Sequence, residues 1–175
     1  MKLIIFGNSG SGKSTLAKRL ISARSPATPA DPIAYLSLDH IAWNPDVQRK
    51  PLEESIALLQ AFVEQESQWI LEGCYGDLVA AALSYCDELW FLNPGVDACL
   101  NHCRKRPWEP DKFASSEEQD AALNYLMEWV KTYESRTDEF GLQRHRQIFD
   151  GFTGHKQEFK RVADYDKAIP LYSGD

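Results

Sequence analysis

The stretch GNSGSGKST, Gly7 to Thr15, lies between the apolar run LIIF and the segment LAKRLI. Its spacing, Gly7, four residues, then Gly12, Lys13 and Ser14, is that of a phosphate-binding loop joining a strand to a helix. Leu3 to Phe6 suits a buried parallel strand, and Leu16, Leu20 and Ile21, with Ala17 beside them, fall at helical spacing behind the loop. Glycines in such a loop let successive backbone N–H groups turn inward at a helix N-terminus, forming a nest for an anion. The residues expected to line that nest are Gly7, Asn8, Ser9, Gly10, Ser11, Gly12, Lys13, Ser14 and Thr15. Lys13 is placed to reach β- and γ-phosphates and the Ser14 hydroxyl to ligate Mg²⁺, so the loop is expected to bind a nucleoside triphosphate with magnesium.

The composition narrows the setting. A chain of 175 residues fits one domain and can bury a full core. Its net charge of −7 leaves no global basic footprint, so direct nucleic-acid binding is not expected. Few apolar residues precede the loop and no later run approaches the ~20 residues of a membrane helix, which predicts a cytoplasmic protein with no membrane contact. Cys74, Cys86, Cys99 and Cys103 form no paired CxxC units, and no disulfide is expected. Cys99, His102 and Cys103 share one side of a helical pattern, but a zinc site wants a fourth ligand; the better reading is a packed helix with small thiols.

Further along, SPATPADP (25–32) reads as a connection and IAYLSLD (33–39) as a second strand ending in an acid. A loop-like segment broken by Pro45 and Pro51 leads to a helix at 52–66, with Leu52, Ile56, Leu59 and Val63 at helical spacing. Strands are predicted at 68–73 and 88–92, helices at 96–105, 117–135 and 143–152, and a last strand at 159–163. Leu123, Leu126, Val130 and Tyr133 form the buried stripe of the long helix. Short apolar strands alternating with helices imply right-handed crossovers and a parallel sheet covered on both faces, an α/β fold of three layers. Ligands of such sheets sit outside the carboxyl ends of the strands.

That rule selects the chemistry. Asp39, ending the second strand, can accept a proton from an attacking hydroxyl or hold Mg²⁺ through water, and Glu72 at the end of WILE can serve the metal together with Ser14. Arg104, Lys105 and Arg106 precede a polar segment that reads as a lid over about 104–120, with Arg104 or Arg106 stabilising the transferring group; Arg136, Arg144 and Arg146 are secondary candidates. For the acceptor, the segment of about 40–66 and the residues beside it supply His40, Trp43 as a stacking surface, Arg49 as a grip for an anionic group, Gly73 and Tyr75.

The order GNSGSGKST, LDHIAW, WILEGCY, DELWFLNP resembles the small P-loop kinases related to adenylate kinase and shikimate kinase, and within them the bacterial subgroup labelled DNA topology modulation proteins. The resemblance covers the chain to about Arg106. It implies a five-stranded parallel sheet in the order 2-3-1-4-5, an acceptor segment after strand two and a helical lid after strand four. By motif position Lys13 and Ser14 would hold ATP and Mg²⁺, Asp39 would face the acceptor, Glu72 would stand where these kinases often have Asp before Gly, and Arg104 would belong to the lid. LEGCY lacks the Pro-Arg that follows the acid-Gly pair in adenylate kinases, so the arginine that binds a nucleotide acceptor's phosphate there has no counterpart.

The expected function is an ATP- and Mg²⁺-dependent phosphotransferase, monomeric or weakly dimeric, acting on a small-molecule acceptor: a nucleoside, nucleotide or hydroxylated metabolite. The alternative is a nucleotide-switched binding protein or slow ATPase with a protein or nucleic-acid partner. A GTPase would want an NKxD-like signature, which FLNPGVD does not supply.

Overall fold

Leu3, Ile4, Ile5 and Phe6 offer water nothing polar, and all four are fully buried in strand β1, Lys2–Gly7. The computed structural model describes residues 1–24, 32–46, 48–106, 108 and 114–169. Because no water reaches β1, its backbone groups must be paired on both edges. It lies parallel to β3, Trp69–Gly73, on one side and β4, Glu88–Leu92, on the other. β2, Ala34–Ser37, and β5, His155–Phe159, complete an all-parallel sheet in the order β2-β3-β1-β4-β5.

Side chains of a strand alternate between faces, and the two cores divide accordingly. Ile4, Phe6, Leu71 and Phe91 point to one side. There they meet helices α2 (Asp39–Ala42), α3 (Leu52–Gln65), α4 (Gly76–Ala82) and α7 (Leu142–Gly151) through Ile41, Leu59, Val79 and Ile148. Leu3, Ile5, Ile70 and Trp90 face the other side, against α1 (Lys13–Arg24) and α8 (Tyr165–Ala168). A smaller core of Cys99, Leu100, Cys103 and Val130 joins α5 (Val96–Arg104) to α6 (Ser116–Lys131). The architecture is a three-layer α/β/α sandwich, and among the described residues no helix is long and apolar enough to cross a membrane.

Several boundaries differ from the sequence reading. The second strand stops at Ser37: Leu38 takes a helical backbone, so Asp39 opens α2 instead of ending the strand. The segment expected as loop contains α2 and a short antiparallel bridge between Trp43 and Arg49. GDLVAAALSY, assigned no element, forms α4 and a 3-10 turn at Leu83–Tyr85. The long helix starts at Ser116, where the Ser115 hydroxyl caps it by accepting from the Glu118 N–H at 3.2 Å, and ends at Lys131. β5 occupies His155–Phe159, so Phe159 closes the last strand instead of opening it. Its first three residues are exposed along the sheet edge, and a further turn and α8 follow it. Of the expected lid, residues 107 and 109–113 lie outside the described residues.

One buried polar chain ties the late helices to the sheet. His145, fully buried on α7, donates from Nε2 to the Cys74 carbonyl at 2.9 Å and accepts at Nδ1 from the Tyr133 hydroxyl at 2.7 Å. The Cys74 carbonyl only accepts, which puts a proton on Nε2, and in the neutral ring Nδ1 is then left to accept from the Tyr133 hydroxyl. Burial holds the imidazole pKa down at about 4. Unfolded, the same side chain binds its proton near pH 6.5, so the stabilisation is complete above that pH and is lost as pH falls towards about 4, a loss of ~3 kcal/mol. Urea unfolding followed from about pH 7 to about pH 4.5 should show this decline, and His145→Gln should flatten it.

Candidate functional site

The sheet register brings the carboxyl ends of four strands to one edge. Phe6 pairs with Gly73, Gly7 with Leu92, and Ser37 with Glu72, so the chain leaves β1, β2, β3 and β4 at nearly one level. From Gly7 the loop curls into α1. Gly10 (φ 78°) and Gly12 (φ 95°) hold the left-handed backbone that other residues resist, and α5 packs so closely that a Cβ on Gly10 would sit 2.4 Å from the Cys99 carbonyl oxygen. Lys13, buried, donates from Nζ to the Asn8 carbonyl at 2.8 Å and so spans the loop from within. The Ser11 hydroxyl is buried inside the curl with no hydrogen-bond partner among the described residues, and a phosphate-sized anion would satisfy it.

Two supports of this loop had no signal in the sequence. His102, on α5, donates from Nδ1 to the Gly10 carbonyl at 2.8 Å. Tyr165, on α8, donates its hydroxyl to the Ser11 carbonyl at 2.8 Å and lays its ring against Gly12. Both contacts join residues about ninety or more positions apart, and neither residue belongs to a local motif. Cys99 and Cys103, which share a helix face with His102 in the sequence pattern, pack instead into the core between α5 and α6.

Beside the loop, Glu72 is a buried carboxylate. It shares β3 parity with Ile70 and therefore faces α1, where its Oε1 accepts from Ser14 Oγ at 3.0 Å and from the Tyr35 hydroxyl at 2.9 Å. Burial and the neighbouring Glu72 charge raise the Tyr35 pKa above its ordinary range. Two neutral hydroxyls offset only part of the cost of burying a carboxylate, and the paired oxygens of Ser14 and Glu72 are of the type that ligates a hard divalent cation.

On the opposite side of β3 lies the acceptor group. Asp39 is exposed at the start of α2, and its Oδ1 accepts from the Tyr75 hydroxyl at 2.6 Å; the Trp43 indole donates to that same hydroxyl at 2.6 Å. Tyr75 is 3% exposed, its hydroxyl raised in pKa by burial and by Asp39. Arg49 is committed to the protein: it bonds Asp77 at 3.1 Å and the Ala42 carbonyl at 3.1 Å, with its guanidinium 4.7 Å from the Tyr75 ring centre. His40 is exposed one residue beyond Asp39. Gly73 packs its α-carbon against Leu38, where a Cβ would come within 2.8 Å.

The Cys74 thiol reports how these groups converge. Burial pushes its pKa up to about 12, the Lys13 charge opposes that rise, and the Asp39 and Glu72 carboxylates add to it. The register of β1, β2 and β3 accounts for this: the loop ending at Lys13, α2 with Asp39, and Glu72 all lie at the same edge of the sheet. The basic residues at and just beyond the end of α5 stand at the margin: Arg104 is exposed, and Arg106, also exposed, reaches Ser9 Oγ at 3.5 Å, the limit of a hydrogen bond. Arg146 is occupied by Glu158 through two bonds of 3.0 and 2.6 Å, and Arg136 lies 3.9 Å from the Trp129 ring centre. A cavity of about 430 Å³ opens elsewhere, on the outer face of α1, between Thr15, Lys18, Arg19, Ser22, Ala23 and Ile169.

No family model matches the chain, and no curated protein matches it. Solved structures do. Shikimate kinase from Bacteroides thetaiotaomicron superposes with a TM-score of 0.54 at 13% identity, over 97% of this chain and 95% of that one. Shikimate kinase from Acinetobacter baumannii in complex with shikimate gives 0.52 at 15% identity, over 97% and 89%. Deoxyadenosine kinase from M. mycoides with bound dATP gives 0.51 at 13% identity, over 98% and 96%. The fold is that of the P-loop kinases.

The close approach at Gly10 is directly testable. Gly10→Ala places a methyl group against the α5 backbone at a positive φ, and should cost at least ~2 kcal/mol in chemical unfolding.

Proposed function

We propose that this chain is an ATP- and Mg²⁺-dependent phosphotransferase whose acceptor is the hydroxyl of a small molecule. The observation that carries the reading is the sheet register, which brings a loop built for phosphates, the buried Glu72 and the solvent-facing Asp39 carboxylate to one sheet edge. In this reading Gly7 to Thr15 wrap the phosphates, with backbone N–H groups and Lys13 meeting their charge. Ser14 and Glu72 are the residues that would hold Mg²⁺, a fit supported by their 3.0 Å pairing and by the burial of a carboxylate whose Oε1 accepts from two neutral hydroxyls. When bound, the ion neutralises charge on the β- and γ-phosphates.

Asp39 receives the acceptor. The acceptor oxygen forms a bond to the γ-phosphorus, the bond from that phosphorus to the β–γ bridging oxygen breaks, and ADP keeps the electron pair. The hydroxyl proton passes to the Asp39 carboxylate. Arg104 or Arg106 closes over the transferring group, and Trp43 presents a face to the acceptor. The subgroup resemblance noted from LDHIAW and WILEGCY fits this reading on the kinase side, and the acidic balance argues against a direct DNA partner.

The test is ADP release by the purified protein with ATP and Mg²⁺, alone and with pooled nucleosides, nucleotides, sugars and hydroxy acids. Stimulation by one pool is expected. Equal slow hydrolysis in every pool would favour a nucleotide-switched binding protein instead. Lys13→Ala should reduce transfer by about 10²–10³-fold or more with the fold intact by circular dichroism. Asp39→Asn should lower kcat about 10²-fold or more while ATP affinity stays within about threefold.

A further inference from the structure

We infer that Tyr75 is a positioning residue: its hydroxyl, itself oriented by the Trp43 indole, pins Asp39 so that one carboxylate oxygen, Oδ2, is left to meet the acceptor. The inference rests on the phosphotransfer reading above and adds a residue and a direction to it.

The direction of the relay follows from donor chemistry. An indole N–H only donates, so at 2.6 Å the Tyr75 oxygen must accept from Trp43. The phenolic hydrogen is then free to donate, and the ionised Asp39 carboxylate, 2.6 Å away, can only accept. The hydroxyl–carboxylate distance is at the short end for its type, as expected where the acceptor carries charge.

The phenol is held from every side. Its ring is buried, Phe140 meets it edge-on at 5.3 Å between ring centres, and Arg49 covers a face. Arg49 is in turn fixed by Asp77 and the Ala42 carbonyl, and its backbone bridges to Trp43. Trp43, Arg49 and Tyr75 are therefore one rigid clamp. Asp39 needs such a clamp, because it is exposed and sits on a helix of only four residues.

This places Tyr75 behind the carboxylate, not against the substrate. An acceptor that took its hydroxyl proton would have to break the Asp39 contact. With the clamp intact, Oδ2 keeps one orientation, and small misplacements of a proton acceptor cost far more in turnover than in binding.

Tyr75→Phe removes the oxygen and keeps the ring. The expected result is a kcat lower by about 10–100-fold, with acceptor KM and ATP affinity within about twofold. In the Tyr75→Phe background, Asp39→Asn should then cost less than it does in the wild type, since the two residues act as a unit. The Trp43 indole N–H resonance, assigned by its loss in Trp43→Phe, should move upfield in Tyr75→Phe as its acceptor disappears. An unchanged kcat, or a raised acceptor KM at constant kcat, would overturn the assignment and make Tyr75 a substrate contact. The indole resonance does not depend on activity. If the wild-type protein transfers phosphate to no acceptor, the phosphotransfer reading fails alone, and an indole signal unmoved by Tyr75→Phe would separately overturn the clamp.

Discussion

The central strand imposes the constraint from which the rest of the molecule follows. Four consecutive apolar residues, Leu3 to Phe6, leave β1 without access to water on either face, so each of its backbone groups needs a partner in the sheet. Parallel neighbours on both edges meet that need, and parallel strands oblige the chain to return through helices that cover the faces. Each strand then releases its next segment at the same edge. The phosphate-type loop, α2 with Asp39 and the Glu72–Tyr75 corner are neighbours for this reason, although they are far apart in sequence.

At that edge most polar groups are committed before any ligand arrives. Ser14 and Tyr35 hold Glu72; Trp43 and Tyr75 hold Asp39; Asp77 and a carbonyl hold Arg49. Fixing side chains in this way uses folding energy to place dipoles where charge would develop, which is how a site lowers a barrier without reorganising at the moment of reaction. The basic residues at and just beyond the end of α5 are the contrast: Arg104 and Arg106 are exposed, and Arg106 reaches only Ser9, at 3.5 Å.

The loop was legible because the sequence states it locally: β1, the glycine spacing and the apolar stripe of α1 are contiguous, whereas the sheet order β2-β3-β1-β4-β5 was implied only by the resemblance to small P-loop kinases. β5 was not legible. HKQEF is an edge strand with three exposed polar residues and no alternation, while the following FKRVA looks more strand-like yet turns away through Val162–Asp164. Asp39 was read as the end of the second strand and instead opens α2, since the helical turn at Leu38 leaves no mark on LSLDH. The supports of the site were the hardest to read. Tyr35, His102, Tyr165 and Asp77 act through partners set by topology, and one aromatic or histidine in a chain carries no spacing from which such a partner can be deduced.

The separate core of α5 and α6 has a mechanical side. Cys99, Leu100, Cys103 and Val130 pack against one another and not into the sheet, so the helix pair forms a small body of its own. It meets the phosphate-type loop at two polar points, His102 on the Gly10 carbonyl and Asn8 Nδ2 on the Val130 carbonyl at 3.4 Å. At Gly10 the loop backbone and the α5 backbone leave no room between them for even a methyl group, so the shape of the one is a boundary condition on the position of the other.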